Sequence, residues 1–226
     1  MPGLLVLYGG TFDPVHNGHL AIARAARAAL QVDIHLMPAA DPPHRPPPGA
    51  VAGDRVAMLQ LALADEPGLL PDLRELQRHG VDGARRSYSV DTLRGLRAER
   101  GADAPVALLV GADSFIGLPT WKSWRELFGL AHFIVASRAG SPVDGELPLP
   151  LAGALRGRVV ASPESLRLQP AGRVLYLRQP LHAQSATDIR HRIAAGQPWR
   201  HLVPVAVADY IQLNGLYADA GDVIGP

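Results

Sequence analysis

The chain has no cysteine, which excludes disulfides, thiolate nucleophiles and cysteine-ligated zinc and makes a reducing compartment the expected setting. Lysine is nearly as scarce: Lys122 is the single lysine among 22 basic residues, the rest being arginine. That bias, beside heavy use of Ala, Gly and Pro, reflects coding composition, so an isolated arginine carries little functional information. No apolar run is long enough to span a bilayer, and the opening MPGLLVLYGG lacks a basic n-region; neither a membrane segment nor a signal peptide is expected. A formal net charge of +1 leaves neither a basic arm for a nucleic-acid polymer nor an acidic tail. The expectation is a cytoplasmic protein with no nucleic-acid polymer and no membrane among its partners.

What is present is enough chain for a core. At 226 residues and 47% hydrophobic, a single α/β domain can bury about 70% of its unfolded surface. Short apolar runs at LLVL (4–7), VDIHLMP (32–38), VALLVGAD (106–113), HFIVASR (132–138) and VLYLR (174–178) read as buried strands. Helical patterns are expected from about Asn17, around 54–65, over 89–100 with Ser89 and Asp91 in capping positions, over 185–196, and over 205–213. The proline-rich 40–50 is a loop, 71–86 is polar and ends in a loop, and 139–172 shows too little periodicity to assign. Alternating strands and helices imply an α/β fold with a doubly wound parallel sheet. No repeat or linker divides 1–226, so one domain is expected, with a small helical C-terminal end from about 185.

The chemistry concentrates in LLVLYGGTFDPVHNGHLAIARAARAAL, residues 4–30. A buried strand stops at Gly9 and Gly10, and an Ala/Leu/Arg helix begins near Asn17, with Leu20 and Ala23 separable from Arg24 and Arg27 onto opposite faces. That junction aims unpaired backbone N–H groups and the positive end of a helix dipole at the carboxyl end of a strand, a place suited to phosphate. His16 and His19, three apart, can share one side of the first turn. The stretch is neither a GxGxxG fingerprint nor a Walker A loop.

GGTFDPVHNGH resembles the signature of the nucleotidyltransferase superfamily marked by His-x-Gly-His. More closely, the chain is similar to the nicotinate-nucleotide adenylyltransferases, through MPAADPPHR (37–45), SYSVDTL (87–93), GADSFIGLPTW (111–121), AHFIVASRAG (131–140), SATDIR (185–190) and YIQLNGLY (210–217), in the family's order. The resemblance implies a Rossmann-like fold and an enzyme joining ATP to nicotinate mononucleotide, with release of pyrophosphate and formation of nicotinate adenine dinucleotide in NAD biosynthesis. It implies Mg2+ carried with ATP and no dedicated protein metal site. It leaves homo-oligomerisation open.

The same resemblance assigns residues. His16, His19 and Arg190 are implied as catalytic; Gly9, Gly10, Thr11, Phe12, Gly18, Asp113, Ser185 and Thr187 join them around ATP, with Asp113 on the ribose hydroxyls. Asp13, His44, Arg45, Ser89, Val90, Trp121 and Lys122 are implied around the mononucleotide, with Trp121 stacked on the pyridine ring and backbone amides near Ser89, Val90 and Lys122 on the carboxylate. Trp124 is expected in the core. A mononucleotide phosphate loses its second proton near pH ~6, so at neutral pH the attacking oxygen needs no general base. The enzyme's task is to hold two anions in line and stabilise charge growing on the α-phosphate. The chain departs from the family where Arg45 replaces lysine, Ser89 replaces threonine, GVDGARR (80–86) adds loop and Asn214 replaces histidine. Two competing readings are a superfamily relative with another acceptor, and a nucleotide-sensing module; the latter would be expected to lose His16, His19 or Arg190, all of which are present.

Overall fold

The computed structural model describes residues 3–40, 49–82, 88–137, 143, 145, 147–178 and 184–218. Among these, the strands β1 (Leu5–Gly10), β2 (Ile34–Pro38), β3 (Leu69–Pro71), β4 (Val106–Gly111), β5 (His132–Ser137), β6 (Val159–Val160) and β7 (Val174–Arg178) form one parallel sheet in the order β3-β2-β1-β4-β5-β7-β6. The strand order reverses at β1: the chain winds outward through β2 and β3, then returns to place β4 on the other side of β1. Loops leaving the carboxyl ends of β1 and β4 therefore part toward opposite faces and leave a crevice, where ligands of such sheets bind.

Both faces of the sheet are covered, which is why the strands read as unbroken apolar runs. Leu4, Val6 and Tyr8 pack under one set of helices: α1 (Asn17–Leu30), α2 (Ala52–Leu63), α8 (Ala186–Ala194) and α9 (Val205–Leu213), through Leu20, Met58, Ile189 and Ile211. Leu5 and Leu7 point the other way. They meet α4 (Ser89–Arg100), α5 (Ala112–Ile116), α6 (Trp124–Leu130) and α7 (Leu149–Leu155), through Leu93, Phe115, Trp124 and Leu151. On α1, Leu20 and Ala23 are buried and Arg24 and Arg27 are exposed, as the spacing requires. Trp124 is buried in the core, as expected. Among the described residues no helix is long and apolar enough to cross a membrane.

The structure adds elements that the sequence pattern does not reveal. β3 and β6 have three and two residues at the two edges of the sheet, too few to show alternation. The polar stretch after Pro71 folds as α3 (Arg74–Asp82), and α7 occupies part of the unassigned 139–172. Ser89 is the first helical residue of α4 rather than its cap; that place falls to Tyr88, whose side chain makes no capping bond. Ser185 does cap α8, its Oγ accepting from the Asp188 N–H at 3.1 Å.

Candidate active site

The phosphate-facing junction is held by the two histidines themselves. His16 is the N-cap of α1, with its Nδ1 accepting from the His19 N–H at 3.3 Å. The Nδ1 of His19 accepts in turn from the His16 N–H at 3.3 Å, so the pair forms a reciprocal capping box. The rings stack with centroids 3.7 Å apart. Because each Nδ1 is an acceptor, each neutral ring carries its proton on Nε2, facing away from the helix backbone. The two imidazoles thus add two N–H donors to a helix terminus that already favours anions.

Glycines make this packing feasible. A Cβ on Gly18 would lie 3.0 Å from the His16 Nδ1, and one on Gly10 would lie 2.9 Å from the Phe12 ring. Phe12 needs that room because it turns back with φ 50°, a left-handed conformation costing a non-glycine residue about 1 kcal/mol. Its ring then meets His19 edge-on, centroids 5.0 Å apart, and buttresses the imidazole alongside the His16 stack.

Burial lowers His16 from an ordinary value near 6.5 to about 4, because a charged ring would lose its hydration there. The ring is therefore a neutral donor at physiological pH. As pH falls below 6.5, the unfolded chain takes up this proton first, so the folded state loses stability down to about pH 4. At pH 4.5 the loss reaches about 2 to 3 kcal/mol. His16→Asn keeps a capping side chain and removes the titration. Its melting temperature is expected to fall less than that of the unchanged chain between pH 7 and 4.5; equal falls would contradict the neutral, buried imidazole.

The second phosphate-binding element is the start of α8. Arg190 donates from Nη1 to the Asp13 backbone oxygen at 2.7 Å and from Nη2 to Thr187 Oγ1 at 3.4 Å, and lies 3.6 Å from Asp13 Oδ2. Asp13 faces inward: its carboxylate accepts from the Gly49 and Ala50 N–H groups at 2.7 and 3.1 Å and from the Tyr217 hydroxyl at 2.7 Å. It ties the glycine loop to α8 and to the chain's far end, and does not line the cleft described next. Burial and this carboxylate push the Tyr217 phenol well above its usual range, so it remains a donor.

At the crevice between β1 and β4 lies a cleft of about 350 Å³ lined by Gly9, Gly10, Thr11, Ser89, Asp113, Trp121 and Lys122, together with Met37, Glu75 and Tyr88. It opens on the α4 and α6 face of the sheet, whereas α1 and α8 cover the other face. Val90 sends its side chain into the core, leaving its backbone as the part available to a ligand. Tyr88 makes no side-chain capping bond, so the N-terminal amides of α4 at Ser89 and Val90 are donors suited to an anion. Lys122 stands at the rim, its Nζ 4.4 Å from the centre of the Tyr88 ring and 3.3 Å from Asp91. Asp113 is exposed and shares this cleft. His44 and Arg45 lie outside the described residues.

Several supporting residues escape a sequence reading. Arg55, on α2 and buried, donates to the carbonyls of Thr11 and Ala39 at 2.8 Å each and of Ala40 at 3.2 Å. It holds the phosphate loop against the chain leaving β2. Burial lowers its pKa and Asp13 opposes that shift. The Thr92 hydroxyl donates to Glu75 at 2.8 Å and accepts from Arg78 at 2.7 Å, joining α3 to the start of α4. Only local signals are visible in a sequence; Thr11 is 44 residues from Arg55 and Asp13 is 204 residues from Tyr217.

A parallel sheet with its ligand crevice at the strand reversal, a histidine-capped helix and a second helix start carrying arginine defines a nucleotide-binding transferase of the His-x-Gly-His type. A family model described as cytidylyltransferase-like matches residues 7–192, and the chain belongs to that family, within its nicotinate-nucleotide adenylyltransferase branch. It is 57% identical to the protein named "Probable nicotinate-nucleotide adenylyltransferase" of Stenotrophomonas maltophilia, across 96% of this chain and 98% of that one. It is 46% identical to the protein of the same name from Marinobacter nauticus, across 94% and 95%. The fold is similar to that of Plasmodium falciparum nicotinic acid mononucleotide adenylyltransferase solved with NaAD, at TM-score 0.68 and 15% identity, covering 95% of this chain and 97% of that one.

Proposed function

We propose that the chain, a single nucleotidyltransferase domain acting in the cytoplasm, transfers the adenylyl group of ATP to nicotinate mononucleotide in NAD biosynthesis. An oxygen of the mononucleotide phosphate bonds to the α-phosphorus, the bond from that phosphorus to the β-phosphate oxygen breaks, and pyrophosphate leaves with the electron pair. The observation that carries this reading is the placement of two Nε2–H donors on a helix terminus, with the glycine turn that leads to it lining a cleft that has its own helix terminus.

His19 and His16 donate to the α-phosphate as charge accumulates on it, His16 as a neutral imidazole. Arg190, the α8 amides and the Ser185 and Thr187 hydroxyls receive the departing pyrophosphate; Arg190 already lies beside Thr187, so a small shift releases its guanidinium to the ligand. Asp113 takes the ribose hydroxyls. On the other face of the glycine loop, Trp121 covers the pyridine ring and the α4 amides take the carboxylate.

Magnesium enters on the nucleotide. The two helix starts and the histidine N–H groups are donors suited to phosphate oxygens. These residues fit a metal carried by phosphate and water, which then supplies charge neutralisation to the triphosphate.

Trp121→Ala tests the arrangement of the cleft. We expect KM for the mononucleotide to rise by ~10-fold or more, from loss of the stacking surface, with KM for ATP within ~2-fold of its starting value. Equal changes in both would make Trp121 a packing residue; absence of dinucleotide and pyrophosphate from the unchanged chain would contradict the reaction itself.

A further inference from the structure

A second cavity lies at the edge of the sheet opposite the crevice. Its volume of about 390 Å³ falls in the range of small-molecule sites, and it forms where α6 ends, where α7 leads into β6 and where the chain enters β7. The crevice stands at the carboxyl ends of the parallel strands and this cavity at their amino ends. The strands that start here, β5 and β7, run six and five residues to the carboxyl edge, roughly 17–20 Å at about 3.3 Å per residue. A ligand held here is outside the catalytic crevice.

Arg156, Arg158 and Arg173 line the cavity, and among the described residues no carboxylate does. One arginine carries little information in this chain; three that converge without a counter-charge carry more. Arg24, Arg74, Arg94 and Arg190 each meet a carboxylate, whereas none of these three forms an ion pair among the described residues.

Two of the three are fixed by the backbone. Arg158 donates from Nε to the Ala154 carbonyl at 2.9 Å and from Nη1 to that of Gly172 at 3.2 Å, and its guanidinium carbon lies 5.2 Å from the centre of the Phe128 ring. Gly172 leaves room for it: with φ 91°, a Cβ there would lie 2.9 Å from Nη1. Arg173 donates from Nη1 to the Gly157 carbonyl at 2.9 Å and turns Nε and Nη2 to the Gln169 carboxamide. Buried His132 holds the loop between them, its Nδ1 accepting from the Arg173 N–H and its Nε2 meeting the Gln169 carbonyl, both at 2.9 Å. The Arg158 Nη2 and the exposed Arg156 guanidinium keep donors without a partner among the described residues.

Like charges gathered in one cavity repel, and carbonyl partners offset that only in part. An anion removes the repulsion and takes the remaining N–H groups. A phosphate suits them best, since it brings nearly two negative charges and oxygens that match a guanidinium fork. We propose that this cavity is a second anion site, which binds the phosphate group of a small molecule apart from the substrates in the crevice. Arg156 and Arg158 donate to the phosphate oxygens and Arg173 supplies charge. The site stands independently of the adenylyl-transfer reading.

The test records amide spectra of the full chain, labelled with nitrogen-15, during titration with inorganic phosphate and with ribose 5-phosphate near neutral pH, against chloride at the same ionic strength. Signals of Gly129, Gly157 and Gly172 should shift saturably, on a curve separate from any response at Gly9, Gly10 and Gly18. Arg156→Glu should weaken binding at the first three by ~10-fold or more with the melting temperature in chloride unchanged, because Arg156 is exposed and holds no partner among the described residues. Tighter binding of ribose 5-phosphate would support the site and identify a phosphorylated metabolite as its ligand; equal or weaker binding would support it as a site for free phosphate. Shifts confined to Gly9, Gly10 and Gly18, shifts that chloride reproduces, or equal affinity in Arg156→Glu and the unchanged chain would overturn the proposal.

Discussion

His19→Ala is expected to lower kcat by at least ~100-fold, as for the loss of a donor that acts on charge present only in the transition state. The reason is local. His19 Nδ1 is committed to the His16 N–H, which fixes the ring's tautomer, and Phe12 and His16 fix its plane, so the Nε2 proton is aimed before substrate arrives. Preorganised donors cost no reorientation at the moment of reaction, and this is what alanine removes. The fold should survive: the variant loses one capping bond worth about 1 kcal/mol, while His16 Nδ1 still caps the helix through the residue 19 amide. Steady-state kinetics with both substrates saturating checks the effect. An unchanged kcat with a raised KM for ATP would reduce His19 to ground-state binding.

Arg55→Met should be the most damaging change outside the cleft. It leaves the carbonyls of Thr11, Ala39 and Ala40 without their donor inside the core and removes the cation facing buried Asp13. Breaking such a buried polar arrangement costs about 3 kcal/mol or more. For a domain of this size that corresponds to a fall of about 6–12 °C in melting temperature. KM for ATP should rise as well, because the Thr11 loop is no longer pinned beside the chain leaving β2. Calorimetry and ATP titration test both parts; a fall under ~2 °C would show that water replaces the guanidinium without cost.

These two residues mark what the sequence made legible. The histidine site could be read because its parts are contiguous: strand, glycines, histidines and helix fall within 4–30, and each piece has a local signature. The start of α8 was legible for the same reason, with Ser185 found as its cap. Arg55 was hidden by composition. In a chain whose basic residues are nearly all arginine, one more carries no signal, yet Arg55 and Arg97 both hold backbone carbonyls from distant segments, Arg97 those of Leu130 and Pro170 at 2.9 and 2.8 Å. Asp13 shows the converse. Its place in the motif directs attention to the substrate, whereas its carboxylate closes the fold through Gly49, Ala50 and Tyr217. Short edge strands and the brief helices α5 to α7 escaped because five to seven residues do not establish a period.

The division of labour across the sheet has a kinetic consequence. Acceptor choice depends on the α4 terminus and Trp121, which stand on different elements from the histidines and Arg190 that stabilise the transferring phosphoryl. An anion at the α4 terminus gains from the helix dipole and from uncapped amides, whereas a neutral carboxamide in the same place presents an NH2 to those donors.

The most direct test is therefore pyrophosphate release from Mg-ATP, comparing nicotinate mononucleotide with nicotinamide mononucleotide at matched concentrations. The account predicts kcat/KM at least ~10-fold higher for the acid, consistent with charge-assisted hydrogen bonds that the amide cannot form, and dinucleotide formed in step with pyrophosphate. Equal use of the two acceptors would contradict carboxylate recognition at α4, and release with neither would contradict adenylyl transfer to a pyridine mononucleotide.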